Sequence, residues 1–398
     1  MPPKLAARSI DDARRRPGQG DSIAPALGLK TRRKESPAVK TKKVVALCAV
    51  VGIALAGAAI ATPANADPVS NSYVMVGSDT LQDSSNALAN GSSLSGAFVR
   101  VAGGSSSIGS FDAFGSAAIQ TKPGGTYFAR PAGSGDGVRA LSYSIAGNKP
   151  FSVSGNSTPA TTIAGQVDIA RSSSSPTAAA GGALEYFPFG RDAVSYAYSG
   201  TGLEQISAAQ LKQVYECTLT VVNGVTVTPR LPQAASGTRA FFLKSIGAPT
   251  LGSCVNQNET IAENDGTVLS GTGQIIPFSV ASWVAQKNLA GQDRTGSASM
   301  GSTQGAVAPF TGSGTALVPN ASYYSTAFGR DTYVVVEAAR VDPSNAKYDA
   351  NLADLVDRTK TKSLTNFSAS PSSSGALKVK FGFLAPASTT PIFANATV

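Results

Sequence analysis

Thr126-Tyr-Phe-Ala-Arg130 followed by Gly133-Ser134-Gly135-Asp136-Gly137 and then Val138-Arg-Ala-Leu-Ser-Tyr-Ser-Ile145 reads as a strand, a glycine-rich turn and a helix. The same order recurs. Ser72–Val76 runs into Gly77-Ser78-Asp79-Thr80 and a helical Leu81–Leu88. Val167–Ala170 runs into Arg171, Ser172–Ser175 and Pro176. Ser236-Gly237-Thr238 opens a helical Arg239–Ile246 with Phe241, Phe242, Leu243 and Ile246 on one side. Strands alternating with helices predict an α/β fold with a largely parallel sheet. Gln205–Glu216 adds an amphipathic helix whose apolar face is Ile206, Leu211, Val214 and Tyr215, with Ser207 in its first turn.

The chain of 398 residues is long enough for two domains. Its formal charge of +9 is unevenly placed. Of 33 basic residues 12, and of 24 acidic residues 4, fall in 1–66, so the remainder carries 21 against 20. A nucleic-acid partner therefore loses its electrostatic support. In 39–66, Lys40, Lys42 and Lys43 precede the apolar run Val44–Ala61 and the small-residue site Ala64-Asn65-Ala66. This is the pattern of a secretory signal peptide cleaved before Asp67, with 1–38 as a disordered extension. Leu47 before Cys48 does not suit a lipoprotein site, so the expectation is a secreted protein, free or associated with the cell wall. Cys217 and Cys254 then remain in an oxidising compartment, where a disulfide is the default.

There is no histidine. That excludes Ser-His-Asp and Cys-His nucleophile systems and HExxH metal sites, and leaves too few ligands for the usual zinc sites. No G-x-x-x-x-G-K-[ST] loop or dinucleotide fingerprint occurs, and no cofactor is implied. What the glycine- and hydroxyl-rich turns offer is anion chemistry. A helix N-terminus exposes unpaired N–H groups and the positive end of its dipole, glycine admits a close approach, and Ser or Thr adds donors. Ser134 with Gly135, and Ser236 with Gly237 and Thr238, fit best.

Taken in order, Val76-Gly-Ser-Asp-Thr80, Gly133-Ser-Gly-Asp-Gly-Val-Arg139, Val167-Asp-Ile-Ala-Arg-Ser-Ser173, Phe187-Pro-Phe-Gly-Arg-Asp192, Leu211–Cys217, Pro232-Gln-Ala-Ala-Ser-Gly-Thr-Arg239, Glu263-Asn-Asp-Gly266 and Ile276-Pro-Phe-Ser279 resemble the phosphate-binding subunit of phosphate ABC transporters, especially its actinobacterial branch. The resemblance covers most of 70–285. It implies a two-lobed type II periplasmic-binding-protein-like fold, a small oxyanion as ligand, an ABC permease as partner, and a monomer that binds without catalysing. The family's ligand positions fall on Thr80, Ser134, Ser236, Gly237 and Thr238. Its aspartate acceptor falls on Ser173 and its arginine on Pro232. Asp79 or Asp136 is then a candidate acceptor, and Arg239 or Arg171 a candidate cation. Lobe one is expected as 67–187 plus 333–398, and lobe two as 188–332. Phe189-Gly-Arg-Asp192 and Phe328-Gly-Arg-Asp331 each lead into a strand, Ala193–Tyr198 and Thr332–Ala338, and suit the two crossings of a hinge. Two other readings stay open: a structural or adhesive wall protein on the same fold, and a secreted phosphatase-like hydrolase using Asp79 and Asp136.

Overall fold

The computed structural model describes residues 69–398. The extension and signal segment expected in 1–66 lie outside the described residues. Among the described residues no helix is long and apolar enough to cross a membrane.

The first strand, β1 (Tyr73–Gly77), is buried along its whole length. Its side chains alternate between two apolar cores: Tyr73 and Met75 enter one, Val74 and Val76 the other. A strand covered on both faces needs a helix on each side. The helix α1 (Gln82–Asn90) supplies Leu88 to the first core, and α2 (Ser134–Ala146) supplies Val138 and Leu141 to the second. Beyond β1 lie β2 (Ile108–Ser110) and β3 (Ile169–Ser172), both parallel to it.

From β3 the sheet continues into the two long strands that carry the repeated Phe-Gly-Arg-Asp. These are β4 (Leu184–Tyr198) and, late in the chain, a strand at Gly329–Glu337. β4 starts at Leu184, well before the expected Ala193. On the far side of β4, β5 (Thr228–Pro229) pairs in parallel with β6 (Gln274–Ser279), which is antiparallel to β4. The ribbon β7 (Ser299–Met300), the late strand β8 (Gly329–Glu337) and β9 (Ile392–Ala394) are also antiparallel to β4. The order is β5-β6-β4-β8-β3-β1-β2, with β7 and β9 also on β4. The expected largely parallel sheet is thus corrected to a mixed one. The reason is that β4 and β8 run antiparallel side by side through its middle, and only the flanks are parallel.

A third apolar core is built from 193–328, around Tyr196, Phe242, Phe278 and Trp283, with Leu211 and Tyr215 of α3 (Ala208–Tyr215). Three local expectations need correction. α3 is shorter than Gln205–Glu216, because Ser207 and Gln210 form a reciprocal capping box that starts the helix at Ala208. The helix after Gly133 begins at Ser134 rather than Val138, so the glycine-rich turn is its first turn, entered through Gly133 at φ +97°. No helix follows Ser172–Ser175: Pro176 and the small residues after it lead straight to β4. Cys217 and Cys254 are joined as expected, closing a loop of sequence separation 37, which stabilises the fold by about 4 kcal/mol in the chain-entropy model.

The two Gly-rich turns meet where Gly137 of α2 lies on Gly77 of β1. A methyl group on Gly137 would sit 2.5 Å from the Gly77 Cα. Gly137→Ala should therefore cost about 1–3 kcal/mol of stability through overpacking, measured by denaturant titration; an unchanged midpoint would show that α2 can slide away from β1 freely.

Candidate functional site

β1 and β3 finish, and α2 starts, at the same edge of the molecule, beyond the C-terminal ends of the parallel strands. A 3-10 turn, Asp79–Leu81, follows β1 and holds Thr80, which is buried. Ser134 is the first residue of α2, and Ser173 follows β3. From the other part of the chain, α4 (Gly237–Ser245) brings its N-terminus to this edge, capped by Ser236, whose Oγ accepts from Arg239 N at 2.9 Å.

These pieces touch. Thr80 Oγ1 and Thr238 Oγ1 are 3.2 Å apart, and Ser134 Oγ and Ser173 Oγ 3.1 Å. Ser134 does not cap its own helix; its Oγ accepts from Ser173 N at 2.9 Å. Gly135 N donates to Ala235 O at 3.1 Å, so the two helix N-termini are packed against each other. Gly237 has to be glycine for room: a methyl group there would lie 2.5 Å from both Ser134 Oγ and Ser173 Oγ. Beside this contact a cavity of about 320 Å³ is lined by Ser134, Gly135, Ser174, Ser236 and Gly237. Of the positions expected from sequence, Thr80, Ser134, Gly135, Ser173, Ser236, Gly237 and Thr238 are brought together.

The charged candidates are not. Arg171 is fully buried, but its guanidinium serves the backbone, donating to Ser78 O, Gly77 O and Phe111 O and to Ser110 Oγ. Arg239 turns outward, donating to Pro232 O and Gln257 O. Asp136 pairs with Arg139 at 2.9 Å and lines a different cavity. Asp79 stays close, but its two oxygens are held by Arg294 at 3.2 Å and Asn264 Nδ2 at 3.0 Å.

The charges at the site come from residues that sequence reasoning did not assign to it. Arg330, on β8, reaches Thr238 Oγ1 at 2.9 Å and Thr80 Oγ1 at 3.3 Å with Nη2. It is directly opposite Asp192 of β4, and the pair closes at 2.8 Å with both side chains buried. Its Nη1 is buried with no hydrogen-bond partner among the described residues. The next residues along repeat the pairing with roles exchanged: Arg191 lies opposite Asp331 at 3.1 Å, more exposed. The signal was present in the repeated Arg-Asp, since two copies in antiparallel register must set each arginine against the other's aspartate. Glu263 is the second unassigned residue. It is fully buried, and its carboxyl accepts from Gly237 N, Thr238 Oγ1 and Thr80 Oγ1. Burial, and then the Asp79 carboxylate, push it up to about 7 against the pull of Arg330. Among the described residues no cluster of three or more acidic or cysteine side chains is placed to hold a metal ion.

The fold is similar to that of an ABC-type phosphate transport receptor from Vibrio cholerae, at 14% identity and a TM-score of 0.44, covering 79% of this chain and 100% of that one. It is similar also to a phosphate-binding protein from Stenotrophomonas maltophilia, at 12% identity and a TM-score of 0.42, covering 80% of this chain and 91% of that one. No protein-family model and no curated protein matches the chain.

Asp192 also accepts from Ser279 Oγ and from Ala281 N, near the start of α5 (Val280–Lys287). Removing it would leave the Arg330 charge buried and unpaired. Asp192→Ala should therefore destabilise the protein by about 3–5 kcal/mol, with Asp331→Ala clearly less costly; equal costs in thermal or denaturant unfolding would contradict the distinction between the two pairs.

Proposed function

We propose that this protein binds a small oxyanion, phosphate first among them, at the junction of Thr80, Ser134, Ser173, Gly237, Thr238 and Arg330. The observation that carries the reading is the Arg330 guanidinium. A buried arginine with one nitrogen unpartnered, next to two threonine hydroxyls and a helix N-terminus, lacks an acceptor that an oxyanion would supply. Arg330 takes the place of the cation that the sequence resemblance put at Pro232. Phosphate is the ligand that this resemblance implies.

The contributing residues divide by the expected lobes. Thr80, Ser134 and Ser173 belong to 67–187, Gly237, Thr238 and Glu263 to 188–332, and Arg330 to one of the crossing strands. The cores are distributed in support of that division, with one built from 193–328 and two mainly from 73–189 and 334–394. The two expected lobes already touch across this site, so an entering anion would need 67–187 plus 333–398 to part from 188–332 about β4 and β8 and close again on it. Delivery to an ABC permease by a secreted monomer, or scavenging, is the role that such closure serves.

Calorimetric titration of the purified chain with phosphate should show micromolar or tighter binding. Arg330→Gln and Thr238→Ala should each weaken it by about tenfold or more, the loss of a charge-assisted hydrogen bond, whereas Arg239→Gln should leave it nearly unchanged. No heat with phosphate or sulfate sinks the reading.

A further inference from the structure

Glu263 stands where an anion would. Its Oε1 accepts from Gly237 N at 3.1 Å, and its Oε2 from Thr238 Oγ1 at 3.0 Å and Thr80 Oγ1 at 3.3 Å. Gly237 is the first residue of α4, so one donor is a helix N-terminal amide and the dipole already faces a carboxyl group. A hydroxyl has one proton to give. A proton given to Glu263 is not available to an incoming oxyanion, and the same holds for the single amide hydrogen of Gly237.

We propose that the Glu263 carboxyl group is an internal competitor for the anion donors, so that an oxyanion enters by displacing it while Glu263 takes up one proton. This rests on the anion-site reading above and specifies how that site is regulated by proton uptake. The surrounding charges decide the direction. Asp79 faces Glu263 from the turn after β1 and is held by Arg294. Arg330 faces it from β8 and is held by Asp192 of β4. Two cations against three carboxylates leave this group negative when Glu263 is ionised and neutral when it is protonated. A displaced carboxylate that stayed charged would be buried beside a second anion without its donors, which is costly enough to draw a proton from solvent. Burial already raises Glu263 to about 7, so that proton is available near neutral pH.

The test uses sulfate, whose own charge is constant across the range, alongside phosphate. Affinity should follow the protonated fraction of Glu263, so sulfate should bind the full chain about tenfold more weakly at pH 8 than at pH 6. Titrations at pH 8 in buffers of different ionisation enthalpy should show close to one proton taken up per sulfate bound. E263Q, checked for folding by thermal melting, should bind sulfate at pH 8 at least as tightly as the wild type does at pH 6, without pH dependence or proton uptake. If the wild type binds phosphate but sulfate affinity only in E263Q is measurable, the competitor role stands. A pH slope that survives in E263Q, sulfate bound by the wild type without proton uptake, or sulfate binding to neither protein while the wild type binds phosphate overturns it and leaves the anion site intact. No anion bound by either protein at any pH removes both.

Discussion

The buried pair between Arg330 and Asp192 is the interaction on which the rest of the structure depends. A buried ion pair must recover a large desolvation penalty, and it does so only when its remaining polar atoms are also satisfied. Here Asp192 takes two donors from Arg330 and two more from Ser279 Oγ and Ala281 N, which ties the two crossing strands to the start of α5. Arg330 Nη2 also donates to Thr80 and Thr238, while Nη1 has no hydrogen-bond partner among the described residues. One pair therefore sets the register of β4 against β8 and delivers a positive charge to the place where both helix N-termini converge. The bulge just beyond, between Thr332 and Tyr333, falls next to Pro188, a residue that has no N–H to give the ladder.

From that anchor the chemistry of the site follows in order. Glycines at 77, 137 and 237 let backbone and hydroxyls approach closely, and serines and threonines supply donors of low charge. These donors are the ones the proposed anion site would use, and the same cluster contains a carboxyl group of its own. Glu263, Asp79 and Asp192 against Arg330 and Arg294 keep the local charge near zero or below it. Under the proposed reading, uptake of a proton by Glu263 on anion entry is then a consequence of this charge balance.

Much of this was legible in the chain, and the reason differs by feature. Helix starts and glycine turns are local signals, so Ser134, Gly135, Ser236, Gly237 and Thr238 were readable from the chain itself, as was the disulfide, while Thr80 and Ser173 came from the resemblance. What failed was long-range. Arg239 and Arg171 were candidates through nearness in sequence, but a guanidinium at the end of a flexible stem goes to the nearest unsatisfied carbonyls, and both found them. Arg330 is far from the other site residues in sequence and reaches them only because β8 returns beside β4. Glu263 opens one of the motifs that carry the resemblance, but it lies in a loop with no periodic pattern, so its burial against Gly237, Thr238 and Thr80 was not readable locally. The expectation of a largely parallel sheet failed for the same reason: the antiparallel pairing of β4 and β8 spans residues too far apart for local pattern to reveal it.

The most direct test of the account is a crystal structure of the protein grown with phosphate at pH 6. The account predicts an anion with one oxygen on Arg330 Nη1 and others on Gly237 N and the Thr80 and Thr238 hydroxyls, and Glu263 moved off those donors. An anion bound elsewhere, with Glu263 still holding Gly237, Thr238 and Thr80, would contradict it.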